Sequence, residues 1–136
     1  MKKLISLGIV FMFLLISLLG YAKLPVSKSG NPDSVKIEAF YFHLTTRCVT
    51  CKAVEAEAKK DLQALYGDKV KFQAINIEDN SGKGIAEKLE ISGQTLLIVK
   101  GERKINLTNE GFLYALNNPD KFKSIIKEKV DALLKL

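Results

Sequence analysis

The chain has 136 residues and a formal net charge of +6, from 21 Lys and Arg against 15 Asp and Glu. That length fits one ordinary domain and excludes a multidomain enzyme, and mild basicity spread along the chain gives no reason to expect a nucleic-acid partner. Two cysteines and one histidine exclude a disulfide-dense scaffold, a four-thiolate zinc site and a multi-histidine metal centre, and no G-x-S-x-G supports Ser/His/Asp hydrolysis.

Lys2 and Lys3 precede an almost unbroken apolar run from Leu4 to Gly20, followed by the small residues of Gly20-Tyr21-Ala22. A charged start, an apolar stretch and a small-x-small site read as an export signal. The run is 17 residues long, which is also the lower limit for crossing a bilayer. Residues 1–22 are therefore expected to be a signal peptide or an N-terminal membrane anchor. No cysteine lies near this segment, which excludes a lipoprotein anchor. In either case the remainder is expected outside the cytoplasm, periplasmic or held at the outer face of the cytoplasmic membrane, where disulfides persist. Residues 23–34, rich in Pro, Gly and Ser, read as a linker to a domain at 35–136.

Within that domain, Val35 to Phe42 is β-branched and aromatic and predicts a strand. His43 to Arg47 follow as a loop. Cys48 to Tyr66 predict a helix whose apolar stripe is Val49, Val54, Ala58, Leu62 and Leu65, ended by Gly67. Val70 to Ile77 predict a second strand, Glu78 to Lys83 a turn, and Ile85 to Leu89 a short helix stopped at Ile91-Ser92-Gly93. Thr95 to Lys100 is a continuous apolar run, as in a strand buried on both faces. Gly101-Glu102 turns the chain into a hairpin partner at Lys104 to Leu107. Thr108 to Leu116 is a helical segment. Asn118-Pro119-Asp120 then starts a last helix, with Phe122, Ile125, Ile126, Val130, Leu133 and Leu134 on its apolar face. Strands alternating with helices and closing in a hairpin predict an α/β domain with a central mixed four-stranded sheet flanked by helices.

Cys48-Val49-Thr50-Cys51 stands where the first strand gives way to its helix. Thiols three residues apart in a first helical turn lie near one face and can close into a disulfide. The free amide N–H groups of a helix start, with Arg47 alongside, favour thiolate at Cys48, making it the expected nucleophile and Cys51 the resolving thiol. An inert staple is the alternative, but so short a loop removes little unfolded-state entropy. A soft-metal or metalloid site is a second alternative, with His43 as third ligand. His43 itself reads either as a proton acceptor beside the thiols or as a half-buried side chain bonded to a loop carbonyl. Thr45, Thr46 and Thr50 are expected to cap the helix.

Three segments, FYFHLTTRCVTCKAVE, INIEDNSGKGIAEKLEIS and GQTLLIVKGERK, resemble the thioredoxin-like superfamily from about Val35 to Leu136. The resemblance implies a thioredoxin-like fold and thiol–disulfide exchange at Cys48 and Cys51, with no cofactor and no resident metal. Its implied partner is a protein or small-molecule disulfide or thiol, joined at the membrane by an electron partner, and the implied state is a monomer. A noncatalytic accessory subunit of a reductase system is the other role open to such a domain. This sequence has Gln94 where the family has a proline before Thr95, which leaves Gln94 to offer amide hydrogen bonds near Cys48 across a trans peptide. Tyr41, Phe42 and His43 occupy the region of the family's buried acid, and no Trp precedes the motif. A narrower likeness rests on Tyr41-Phe42-His43, on Arg47, Cys48, Thr50 and Cys51, and on the C-terminal helix from Asp120, Lys121 and Phe122. It is to small exported thioredoxin-like proteins labelled as subunits of a nitrophenyl (arsenical) reductase.

Overall fold

In the computed structural model, Ile37–His43 forms strand β1, and four of its residues in a row, Ala39 to Phe42, are buried. The described residues are 36–136, within the unit Asn31–Leu136; the expected signal or anchor at 1–22 and the linker at 23–34 lie outside them. Among the described residues no helix is long and apolar enough to cross a membrane. Burial on both sides of β1 follows from its place in the sheet, whose order is β2-β1-β3-β4. β2 is Val70–Asn76, β3 is Thr95–Lys100 and β4 is Arg103–Asn106. β1 runs parallel to β2, with Ile37 opposite Val70 and His43 opposite Asn76, and antiparallel to β3, with Phe42 opposite Thr95. β3 and β4 form the expected hairpin.

A parallel pair needs a crossover, and helix α1, Val49–Tyr66, supplies it between β1 and β2. Helix α2, Asn80–Leu89, carries the chain from β2 to β3, and α3, Thr108–Tyr114, and α4, Pro119–Leu134, complete it. Side chains of a strand alternate between faces, so β1 serves two cores. Ile37, Ala39 and Tyr41 pack with Leu96 and Ile98 beneath α1, α3 and α4, through Val54, Ala58, Leu62, Phe122, Ile126 and Val130. Phe40 and Phe42 pack with Leu97, Ile75 and Ala86 on the face that α2 covers. Each of the larger fully buried apolar side chains stabilises the fold by about 1.5–3 kcal/mol relative to exposure.

Several expectations need correction. α2 begins at Asn80, so the segment read as a turn supplies its first helical turn. The reason is close contact: a Cβ at Gly82 would stand 1.9 Å from the Asn76 carbonyl oxygen, and only glycine lets this turn lie against the end of β2. The helix stops before Ser92-Gly93, with Glu90 in the left-handed conformation (φ 64°) and the Ile91 N–H bonded to the Ala86 carbonyl. Val49 leaves the predicted stripe and is 72% exposed, and Leu134 at the C-terminus of α4 is also exposed. Cys51 and Asp61 join the buried residues of α1 instead. Gly67 (φ 53°) ends α1 as expected, its N–H on the Gln63 carbonyl, and Asn118 caps α4 by accepting from the Lys121 N–H at 3.2 Å.

Candidate active site

β1 ends at His43, and the loop after it delivers Cys48 to the start of α1, so the pair sits at the C-terminal end of a central strand. Cys48 is the helix's N-cap residue, with extended backbone angles (φ −72°, ψ 168°), and its sulfur accepts from the Cys51 N–H at 3.1 Å. The two cysteines are joined as a disulfide with Cα atoms 5.1 Å apart. That spacing is ordinary for such a bond. Cys48 is exposed while Cys51 is 2% exposed, so a reactant from solvent meets one sulfur and not the other. Val49 projects into solvent beside them.

The loop is tied down from across the sheet. The Thr45 N–H donates to a Glu78 carboxylate oxygen at 2.7 Å, the Asn76 side-chain amide donates to the Thr45 hydroxyl at 3.0 Å, and the Ile77 N–H donates to the His43 carbonyl at 2.9 Å. Hydrogen bonding from Thr45 holds the Glu78 carboxyl below its ordinary range. Thr45 therefore anchors the loop to the end of β2 and is not the helix cap, a role taken by the Cys48 sulfur. Arg47 shares its guanidinium with the Glu55 carboxylate in the second turn of α1, which compensates part of the charge expected beside Cys48.

His43 is half-buried and its Nδ1–H donates to the Leu44 carbonyl at 3.0 Å. Since a carbonyl only accepts, this bond leaves Nε2 as the acceptor nitrogen of the neutral ring. The loop-carbonyl reading of this histidine matches that geometry. Among the described residues, no three His, Cys, Asp or Glu side chains converge to hold a metal ion. Thr95 is buried, lies opposite Phe42 at the end of β1, and donates its hydroxyl to the Gly93 carbonyl at 3.1 Å. The described residues contain no cis peptide, so Gln94 joins Thr95 in trans; its half-buried side chain makes no hydrogen bond to either cysteine.

Sequence reasoning missed the partners that position this loop, Asn76, Glu78 and Glu55, because they lie up to 33 residues away or on the far side of a helical turn. It also missed that Tyr41, fully buried on β1, carries a hydroxyl without a partner among the described residues.

A sheet of order β2-β1-β3-β4, with β1 and β2 parallel, β3 and β4 antiparallel, and a Cys-x-x-Cys disulfide opening the helix after β1, defines a thioredoxin-like α/β domain. No protein-family model matches the chain, and no curated protein matches it. Solved structures that it is similar to include thioredoxin O2 of Arabidopsis thaliana in its oxidized state, at 20% identity over 71% of this chain and 76% of that one, TM-score 0.49. Thioredoxin f2 of Chlamydomonas reinhardtii is similar at 19% identity over 69% of this chain and 79% of that one, TM-score 0.44. The germline thioredoxin Deadhead of Drosophila melanogaster is similar at 21% identity over 54% and 68%, TM-score 0.41. Strand order and the position of the Cys48–Cys51 pair carry the fold class.

Proposed function

We propose that this domain exchanges thiols and disulfides through Cys48 and Cys51, in a chain exported by its first 22 residues. One observation carries the reading: the exposed sulfur and the buried sulfur are bonded to each other at a helix start, with a backbone N–H aimed at the exposed one. In the reduced pair, the Cys48 thiolate attacks one sulfur of a partner disulfide and expels the other as a thiolate. The resulting mixed disulfide is resolved when the Cys51 thiolate attacks the Cys48 sulfur and releases the second partner thiol. Two electrons pass from the pair to the partner, and the Cys48–Cys51 bond is restored. Run backwards, the same steps oxidise a dithiol partner.

Cys51 needs no access to solvent in this scheme, because its only target is three residues away. Export supports the same reading, since a disulfide in a compartment beyond the cytoplasm persists unless something turns it over. The partner is then a protein or small-molecule disulfide or thiol at the outer face of the membrane, with electrons supplied or removed by a membrane-bound component. The narrower likeness carried by Tyr41-Phe42-His43 and Arg47-Cys48-x-Thr50-Cys51 supports a place among small exported thioredoxin-like proteins.

The test is the reduction potential of the pair in the folded full chain, measured against glutathione. Exchange chemistry predicts a value above the range of structural disulfides, which lie below about −300 mV. A value in that structural range, with no exchange while folded, would reduce the pair to a staple.

A further inference from the structure

Tyr41 and Asp61 hold the two buried side-chain polar atoms that find no hydrogen-bond partner among the described residues. Tyr41 is the one of the two on β1, the strand that leads into the candidate site. Tyr41 lies two residues before the end of β1, on the face covered by α1, and packs in the cluster that contains Val54. Cys51 is three residues before Val54 on the same helix, and residues at that spacing share a face. The ring also keeps company with the end of the strand: its centroid is 6.2 Å from that of His43. Burial raises the hydroxyl above the ordinary tyrosine range, opposed by the charge of Arg47, the residue next to Cys48. The group therefore stays protonated and is a donor.

A buried donor without an acceptor is costly, and structures rarely keep one without a use. We infer that the Tyr41 hydroxyl is a redox-linked positioning group, unpaired while Cys48 and Cys51 are joined and paired to the Cys51 sulfur once that bond opens. The inference rests on the exchange reading above. Reduction by a dithiol consumes two electrons and two protons: the S–S bond breaks, the dithiol becomes a disulfide, and Cys51 is left as a buried thiol or thiolate. A thiolate is a far better acceptor than a disulfide sulfur, and the hydroxyl gains its missing bond in the reduced form only. Tyr41 thus favours the dithiol and makes the pair a stronger oxidant.

The experiment is the equilibrium of the full chain with dithiothreitol and its oxidised form, read by thiol alkylation, for the parent and for Tyr41→Phe. The variant removes the hydroxyl and keeps the ring. We expect its equilibrium to move roughly tenfold toward the disulfide, which is a potential lower by about 30 mV for this two-electron couple. Denaturant unfolding of both redox forms closes the cycle: the oxidised variant should be at least as stable as the oxidised parent, and the reduced variant less stable than the reduced parent. A hydroxyl with a merely structural role would change both forms alike and leave the equilibrium unmoved, which overturns the inference. An oxidised variant that is less stable, or does not fold, overturns it as well. A parent pair inert to dithiothreitol while folded removes the exchange reading along with it, a result distinct from equal constants in parent and variant.

Discussion

The Cys51 N–H donates to the Cys48 sulfur from 3.1 Å, so the buried residue of the pair places a positive hydrogen against the exposed one. The contact belongs to the helix N-cap, and it is available to a thiolate as well as to a disulfide sulfur. In the reduced chain Cys48 is expected to alkylate with a midpoint below that of a free thiol, about pH 8.5, and roughly tenfold faster than Cys51 at neutral pH. Mass spectrometry of the partially labelled chain across pH checks both. Equal rates at the two positions, or a midpoint at or above that of a free thiol, would contradict the assigned roles.

Gly82 and Gly84 sit in the same helix and predict opposite outcomes. A Cβ at Gly82 would meet the Asn76 carbonyl oxygen at 1.9 Å and its carbon at 2.8 Å, both backbone atoms at the end of β2. Gly82→Ala should cost about 1–3 kcal/mol or more. Asn76 also holds Thr45, so the same substitution should slow exchange at Cys48. A Cβ at Gly84 meets nothing within 4 Å, and Gly84→Ala should stabilise by about 0.5–1 kcal/mol through helix propensity. Denaturant unfolding of the two variants side by side tests the contrast.

Asp61 is 1% exposed in α1, one carboxylate oxygen is unpartnered, and the other stands 3.9 Å from the Lys123 ammonium group of α4. Burial raises its carboxyl above the ordinary 3.8, opposed by Lys60 and Lys123. The folded chain then holds a proton that the unfolded chain releases, so stability falls as pH rises from 3.8 through the folded value. Asp61→Asn removes that slope. It should be more stable than the parent at pH 7 by about 1 kcal/mol, with the difference closing below the ordinary carboxylate range. A variant less stable at pH 7 would show that the Lys123 contact outweighs the burial.

Much of this arrangement is legible in the residue pattern. Thr95 to Lys100 reads as an inner strand because every position is apolar except its ends, and it occupies the sheet's interior. Gly67 and Asn118-Pro119 mark helix ends by local chemistry alone, and both marks hold. Asn80-Ser81-Gly82 misleads because those residues favour turns in isolation, whereas here Gly82 is present for a close approach to Asn76. Val49 misleads because it is apolar at the helix start, yet five residues before Val54 it lies about 140° round the helix from the stripe and stands in solvent, while Cys51 in the same turn is buried. The cysteine pair is visible in four letters, but its asymmetry of exposure is a property of the packed helix. So are the ties from Glu78 and Asn76, which come from the next strand and cannot be read from spacing around the motif.

The most direct measurement is capture of a mixed disulfide. The chain carrying Cys51→Ser, mixed with a disulfide partner such as oxidised glutathione, should accumulate a stable adduct through Cys48, while Cys48→Ser should give little or none. Adducts in equal amount from both variants, or from neither, would contradict an exposed attacking sulfur resolved by a buried one.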